Sequence, residues 1–249
     1  MCHYKIFFVF LLTVLPKVFC SCEEPYDDAP ENLYDGDEYC ANNPKDDLVE
    51  IQMILFGKTG AGKSSTGNTI LGNNKFSTSS AAISHTDDVQ YGVVYRFNRR
   101  LVVIDTPGIF DTAKDSNETF AKFENFFREN FIFFFNFDYP VLNAVLLVIR
   151  IGRLTAEEEE SVRILIGRYG EQIKRCMIIV FTGKSQLDND NMSLEEFIDT
   201  IDDNSEIKKL IQAIDNRYVA FGLKGNKSDR EAEVKRLLIM IEDMDQTQC

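Results

Sequence analysis

The chain is predicted to be an α/β protein: a mostly parallel central sheet with helices on both faces, spanning residues 48–244. Three observations carry this. Apolar runs of strand length alternate with helix-length segments from residue 48 onward. The run Val141 to Ile149 is almost continuously apolar, as a strand covered on both faces should be. A glycine-rich segment, Gly57 to Ser64, sits between an apolar strand and a helix.

In chain order, Leu48 to Phe56 reads as the first strand, Gly57 to Ser64 as a loop, and Ser65 to Leu71 as a helix stopped by Gly72. Val89 to Phe97 and Arg100 to Asp105 read as a hairpin pair. The nine Phe residues from Phe120 to Phe137 suit a buried helix better than a ligand pocket, since aromatic clusters are usually packing surface. A helix over Thr155 to Tyr169 follows the strand 141–149, and Glu157 to Glu160 form its solvated first turn, where acids are favoured by the helix dipole. Then come a strand (Met177 to Phe181), helical pieces near 193–214, a short strand (Tyr218 to Phe221) and a last helix from Asp229 to Met244.

The chain has 249 residues, 44% of them hydrophobic, which suits one domain with a tail. Its net charge of −13 is unevenly spread. Residues 1–22 carry only Lys5 and Lys17, whereas residues 23–50 carry eleven acids against Lys45. The domain itself is mildly acidic, and the absence of a basic patch argues against a nucleic-acid partner. Residues 23–47 have too few apolar side chains to fold alone and read as an acidic linker. Residues 1–22, with an apolar run from Ile6 to Leu15 and small or thiol residues at Cys20 to Cys22, have the layout of a secretory signal peptide or a short membrane anchor. Six cysteines show no metal-type spacing, and Cys176 and Cys249 are isolated from the N-terminal group.

Residues 57–64, GKTGAGKS, satisfy G-x-x-x-x-G-K-[ST]. Glycines let backbone N–H groups curl around a phosphate without side-chain clash, and the helix start adds its positive dipole end. Lys63 is placed to reach the β- and γ-phosphates and the Ser64 hydroxyl to ligate Mg²⁺. Asp105-Thr106-Pro107-Gly108 follows the apolar strand run Leu101 to Ile104. Asp105 is expected to hold Mg²⁺ through a water, and the Gly108 N–H to meet the γ-phosphate. Nucleotide contacts are thus expected from Gly57, Lys58, Thr59, Gly60, Ala61, Gly62, Lys63, Ser64 and Ser65, with Asp105 and Gly108 across from them.

GKTGAGKSSTGNTILG at 57–72 and DTPGIFDT at 105–112 resemble the two leading signatures of the immunity-associated GTPases (GIMAP, also called IAN). IGRLTAEEEESV at 151–162, RYVAF at 217–221 and EAEVKRLL at 231–238 continue the resemblance to the last helix. It implies a Ras-like P-loop GTPase domain that binds GTP or GDP with Mg²⁺, and association of copies through the G domain. It also implies a switch threonine at Thr86 as an Mg²⁺ ligand, a nucleotide contact at Thr78, and Lys184 packing its stem along the base.

Two departures bear on the base. The family's guanine-reading segment ends in Asp; here it reads Thr182-Gly183-Lys184-Ser185-Gln186, with Asp188 two residues on. Gly222-Leu223 stand where the family has a base-contacting Asn. A third bears on chemistry: Ile109 occupies the place where Ras-like enzymes carry a water-orienting Gln, so unassisted hydrolysis is expected to be slow. The family implies the cytosol or a membrane's cytosolic face, while residues 1–22 imply the secretory route or membrane association.

Overall fold

A computed structural model describes residues 49–78, 88–108, 121–122, 124–125, 142–222 and 226–244. The N-terminal segment 1–22, the acidic linker 23–47, Thr86, Ile109 and nearly all of the Phe-rich stretch lie outside the described residues. So do five of the six cysteines; the sixth, Cys176, is buried at the entry to the strand 177–182. Among the described residues no helix is long and apolar enough to cross a membrane.

Among the described residues six strands form one sheet: β1 (Val49–Phe56), β2 (Gln90–Arg96), β3 (Arg99–Asp105), β4 (Leu142–Arg150), β5 (Met177–Thr182) and β6 (Tyr218–Phe221). Their spatial order is β2-β3-β1-β4-β5-β6. Among the described strands β2 alone is antiparallel; it pairs with β3 across the two-residue turn Phe97–Asn98. Both turn residues have positive φ, 54° and 60°, the signature of a type I′ hairpin whose twist matches its strands. The remaining pairs are parallel, as sequential strands joined by crossover helices require.

The helices with described bounds are α1 (Lys63–Leu71), α2 (Ala156–Tyr169), α3 (Ser185–Asp190), α4 (Leu194–Asp199), α5 (Glu206–Ala213) and α6 (Lys227–Asp243), with a 3₁₀ segment at Glu171–Cys176 before β5. The period-2 alternation of the strands sorts the core into two layers. Ile54, Ile104, Val145, Leu147 and Ile179 face Val162 and Leu165 of α2, Phe197 of α4 and Leu210 of α5. Leu55, Val103, Leu146, Val148 and Val180 face Ile70 of α1 and Val234, Leu237 and Ile241 of α6. Each of these side chains is at most 8% exposed, and burying one stabilises the fold by about 1.5–3 kcal/mol. The continuous apolar run of β4 therefore follows from its place in the middle of a sheet covered on both sides.

Candidate functional site

The loops that leave the C-terminal ends of β1, β3 and β5 gather at one end of the parallel sheet, the usual place for ligands in open α/β folds. The first is Gly57 to Gly62. Gly57 has φ 145°, and a Cβ there would lie 2.4 Å from the Val148 carbonyl oxygen, so the loop passes over β4 at backbone contact. Gly62, with φ 101°, is the N-cap of α1 and has no side chain to cap it. The helix consequently starts at Lys63, two residues earlier than its sequence pattern indicates. Its first-turn N–H groups and positive dipole end face the loop, an arrangement suited to an anion. The Ala61 N–H is turned back to the Lys58 carbonyl at 3.2 Å.

Lys63 is buried at the start of α1, and its ammonium donates to the carbonyls of Gly57 and Lys58, each at 3.1 Å. Burial lowers its pKa to about 8, against the pull of the nearby Asp105 carboxylate. The Ser64 hydroxyl donates to Asp105 Oδ2 at 2.6 Å. Asp105 is fully buried, and burial raises its pKa despite the Ser64 bond and the Lys63 charge. Its second oxygen, Oδ1, is buried without a hydrogen-bond partner. An orphaned carboxylate oxygen is costly unless something cationic or hydrated meets it. The donor set, one hydroxyl and one carboxylate beside the loop, fits the hard-oxygen chemistry of Mg²⁺.

Gly108 closes onto the loop from the β3 side. A Cβ at Gly108 would lie 2.0 Å from the Thr59 hydroxyl and 2.8 Å from the Thr59 nitrogen, so only glycine fits. Thr106 holds this segment down by donating its hydroxyl to the Leu55 carbonyl at 2.6 Å.

The third loop, after β5, is bonded to the first. The buried Thr182 hydroxyl donates to the Ala61 carbonyl at 2.6 Å. Lys184 is half-buried, and its ammonium pairs with Glu233 of α6 at 2.8 Å. Gln186 is exposed in the first turn of α3, its amide oxygen 3.7 Å from where a Cβ on Gly152 or Gly183 would stand. Asp188, the alternative base reader, is exposed on the same helix. Two residues further along a helix turns the side chain about 200° away, so Asp188 does not share the direction of Gln186.

Two residues not expected at the site, Thr155 and Glu158, reach it through Lys58. Lys58 donates to the Thr155 hydroxyl at 3.1 Å and lies 3.7 and 3.8 Å from Glu157 and Glu158. Glu158 is itself buried and accepts the Thr155 N–H at 2.9 Å and hydroxyl at 3.1 Å. The run 157–160 is thus not uniformly solvated: Glu158 is a capping-box residue, for which the T-x-x-E spacing was the available signal. Of the remaining expected contacts, Ser65 follows Ser64 in α1, Thr78 is exposed at the end of the stretch 49–78, and Thr86 is not described. A cleft of about 880 Å³ along the outer edge of β6, lined by Tyr218, Ile239 and Met244 among others, shares Lys184 with this site but none of the phosphate loop.

The AIG1 family profile matches residues 51–249. Human "GTPase IMAP family member 8" is 32% identical over 198 residues, covering 79% of this chain and 28% of that protein. Arabidopsis thaliana "Immune-associated nucleotide-binding protein 7" is 31% identical over 200 residues, covering 79% of this chain and 61% of that protein. The chain therefore spans less than two thirds of either relative. Among solved structures, Arabidopsis Toc33 in complex with Mg²⁺ and GMPPNP superposes with a TM-score of 0.57 at 17% identity, covering 80% and 87% of the two chains. Era in complex with MgGDPNP and a 16S ribosomal RNA fragment superposes with a TM-score of 0.55 at 18% identity, covering 80% and 58%. These likenesses carry the fold, a Ras-like P-loop domain, and with the profile match over residues 51–249 the chain belongs to the AIG1 family.

Proposed function

We propose that this domain binds GTP and GDP with Mg²⁺ at the loop Gly57 to Ser64 and works as a slow GTPase, a nucleotide-dependent switch or assembly unit. The observation that carries the reading is the trio of buried Lys63, buried Asp105 and half-buried Ser64, in which one carboxylate oxygen is bonded to Ser64 and the other has no partner. The relatives' names, one a GTPase and one a nucleotide-binding protein, support it, as does Toc33 crystallised with GMPPNP or with GDP and Mg²⁺.

In this reading Lys63 gives up its bonds to the loop carbonyls and turns its ammonium to the β- and γ-phosphates. Phosphate charge replaces the water that burial removed from it. The N–H groups of the loop and of the first turn of α1 cradle the β-phosphate, and the Gly108 N–H meets the γ-phosphate. Ser64, Asp105 and Thr86 would hold Mg²⁺, which neutralises charge between the phosphates when bound. Ile109 offers no hydrogen bond to an attacking water, which keeps unassisted turnover slow. Association of two copies would bring in the missing group, and dimerization is described as important for the GTPase activity of Toc33.

A second reading is a degenerate domain that binds nucleotide with relaxed base choice and serves as an interaction module. Exposed, neutral Gln186 favours it, because a neutral acceptor holds guanine less firmly than a carboxylate. Titration calorimetry of the protein with Mg²⁺ complexes of GDP, GTP and ATP decides between them, alongside Lys63→Ala. The expected result is guanine nucleotide binding in the parent and a loss of roughly 100-fold in the variant. Equal affinities for GTP and ATP would favour the second reading. Unchanged affinity in Lys63→Ala would remove the phosphate loop from the account.

A further inference from the structure

Glu233 lies on α6, outside every segment expected to touch nucleotide, yet its carboxylate joins two of them. Oε1 accepts the Lys184 ammonium at 2.8 Å, and Oε2 accepts the Gly222 N–H at 2.9 Å. The side chain is only 5% exposed. A carboxylate withdrawn this far from water is retained only when its charge is met, because desolvation otherwise outweighs what packing returns. Here both oxygens are satisfied, one by a cation and one by a backbone donor, and these come from different loops.

Those two loops are the ones on which base contacts were expected, after β5 and after β6. The first is anchored at its start by the Thr182 bond to the phosphate loop and further on by the Lys184–Glu233 pair. The second starts at Gly222, where a Cβ would stand 3.5 Å from the Glu233 carboxylate and 3.8 Å from the Lys184 stem. Lys184, Gly222 and Glu233 therefore form one packed unit. With its ammonium held by α6, the stem of Lys184 is fixed in direction rather than free to follow solvent.

We infer that Glu233 is a positioning residue for the base end of the nucleotide site, setting the direction of Lys184 and the height of the Gly222 backbone, and so the preference for guanine over adenine. The inference rests on the nucleotide-binding reading above. Its substrate class is the purine base of a nucleoside diphosphate. Glu233 acts through Lys184 and Gly222 and touches no phosphate-loop residue among its described hydrogen bonds and ion pairs.

The test uses the full-length chain with three probes, each with Mg²⁺: GDP, ADP and inorganic pyrophosphate, the last reporting the phosphate loop alone. Glu233→Ala should weaken GDP binding roughly tenfold and narrow the GDP/ADP ratio, with pyrophosphate affinity within about twofold of the parent. Glu233→Gln keeps the shape and one acceptor but sets an amide donor against Lys184 or Gly222, and should fall between. Because Glu233 acts through Lys184, Glu233→Ala and Lys184→Ala should not add: the double variant should match the weaker single variant within about twofold. Circular dichroism checks that each variant is folded, and Glu233→Gln carries the test if Glu233→Ala is not. An unchanged GDP/ADP ratio in a folded variant, or an equal loss for GDP and pyrophosphate, would overturn the inference. A parent protein that binds neither GDP nor pyrophosphate would instead sink the nucleotide-binding reading itself.

Discussion

Burial lowers the Lys63 pKa from its ordinary 10.5 to about 8, although Asp105 pulls the other way. The unfolded chain then holds one more proton than the folded chain between pH 8 and 10.5, so ligand-free stability should rise with pH across that window. The gain is at most about 3 kcal/mol by pH 10.5 and is absent below pH 8. Urea unfolding at stepped pH measures it; Lys63→Met should flatten this rise, and an identical rise in that variant would refute the assignment. Asp105 shifts the other way in the acid range: its raised pKa makes stability fall as pH climbs from its unfolded value to its folded one. Burial thus disfavours the charged form of both groups in the ligand-free protein. Gln186 poses a separate residue-scale problem, since its exposed amide supplies one neutral acceptor where a carboxylate supplies two charged ones. Gln186→Asp should strengthen GDP binding by roughly fivefold to tenfold and widen the GDP/ADP ratio. A flat or reduced ratio would mean another residue reads the base.

At the scale of elements, α2 shows what local sequence can and cannot reveal. Glu158 caps the helix through Thr155 and is buried, while Glu160 is half-exposed and pairs with Arg163 one turn on. Glu158→Ala should therefore cost about 1–2 kcal/mol in chemical denaturation and Glu160→Ala no more than about 0.5. Equal costs would mean that the cap carries no stability. The strands β1, β4 and β5 were legible because continuous apolar runs leave few alternatives, and the stop of α1 was legible in Gly72, whose N–H bonds back to the Asn68 carbonyl. The start of α1 was misplaced by two residues because its N-cap is a left-handed glycine, which lacks the side-chain signal that marks most helix starts. The region 193–214 reads as helical pieces, and the capping serines Ser193 and Ser205 set where α4 and α5 begin. The phosphate-loop residues were legible because their chemistry is local. The bonds that join the loops were not: Thr182 to Ala61, Lys58 to Thr155 and Lys184 to Glu233 span 121, 97 and 49 residues, and no periodicity encodes such pairs.

For the molecule as a whole, these long-range bonds tie the ligand end of the sheet to both layers of the core. The phosphate loop feeds α1, which packs with α6 on one face, while Lys58 reaches the start of α2 on the other. Ser64–Asp105 joins the loops after β1 and β3, and Thr182–Ala61 joins those after β1 and β5. A ligand seated on the phosphate loop should therefore stabilise the whole fold rather than one segment, as a single shift of a cooperative transition. At a free concentration 100 times its dissociation constant it adds about 2.7 kcal/mol. For a domain of this size that corresponds to a rise in Tm of roughly 5–10 °C. Thermal unfolding with Mg²⁺ and saturating GDP should show this rise, with a smaller one for ADP at equal concentration and none for Lys63→Ala with GDP. The shift should be the same by far-UV circular dichroism, which follows the helices, and by tyrosine fluorescence, which follows side-chain packing. Two separated transitions, with only one moved by GDP, would show instead that the loops are not coupled through these bonds and that the nucleotide end melts on its own.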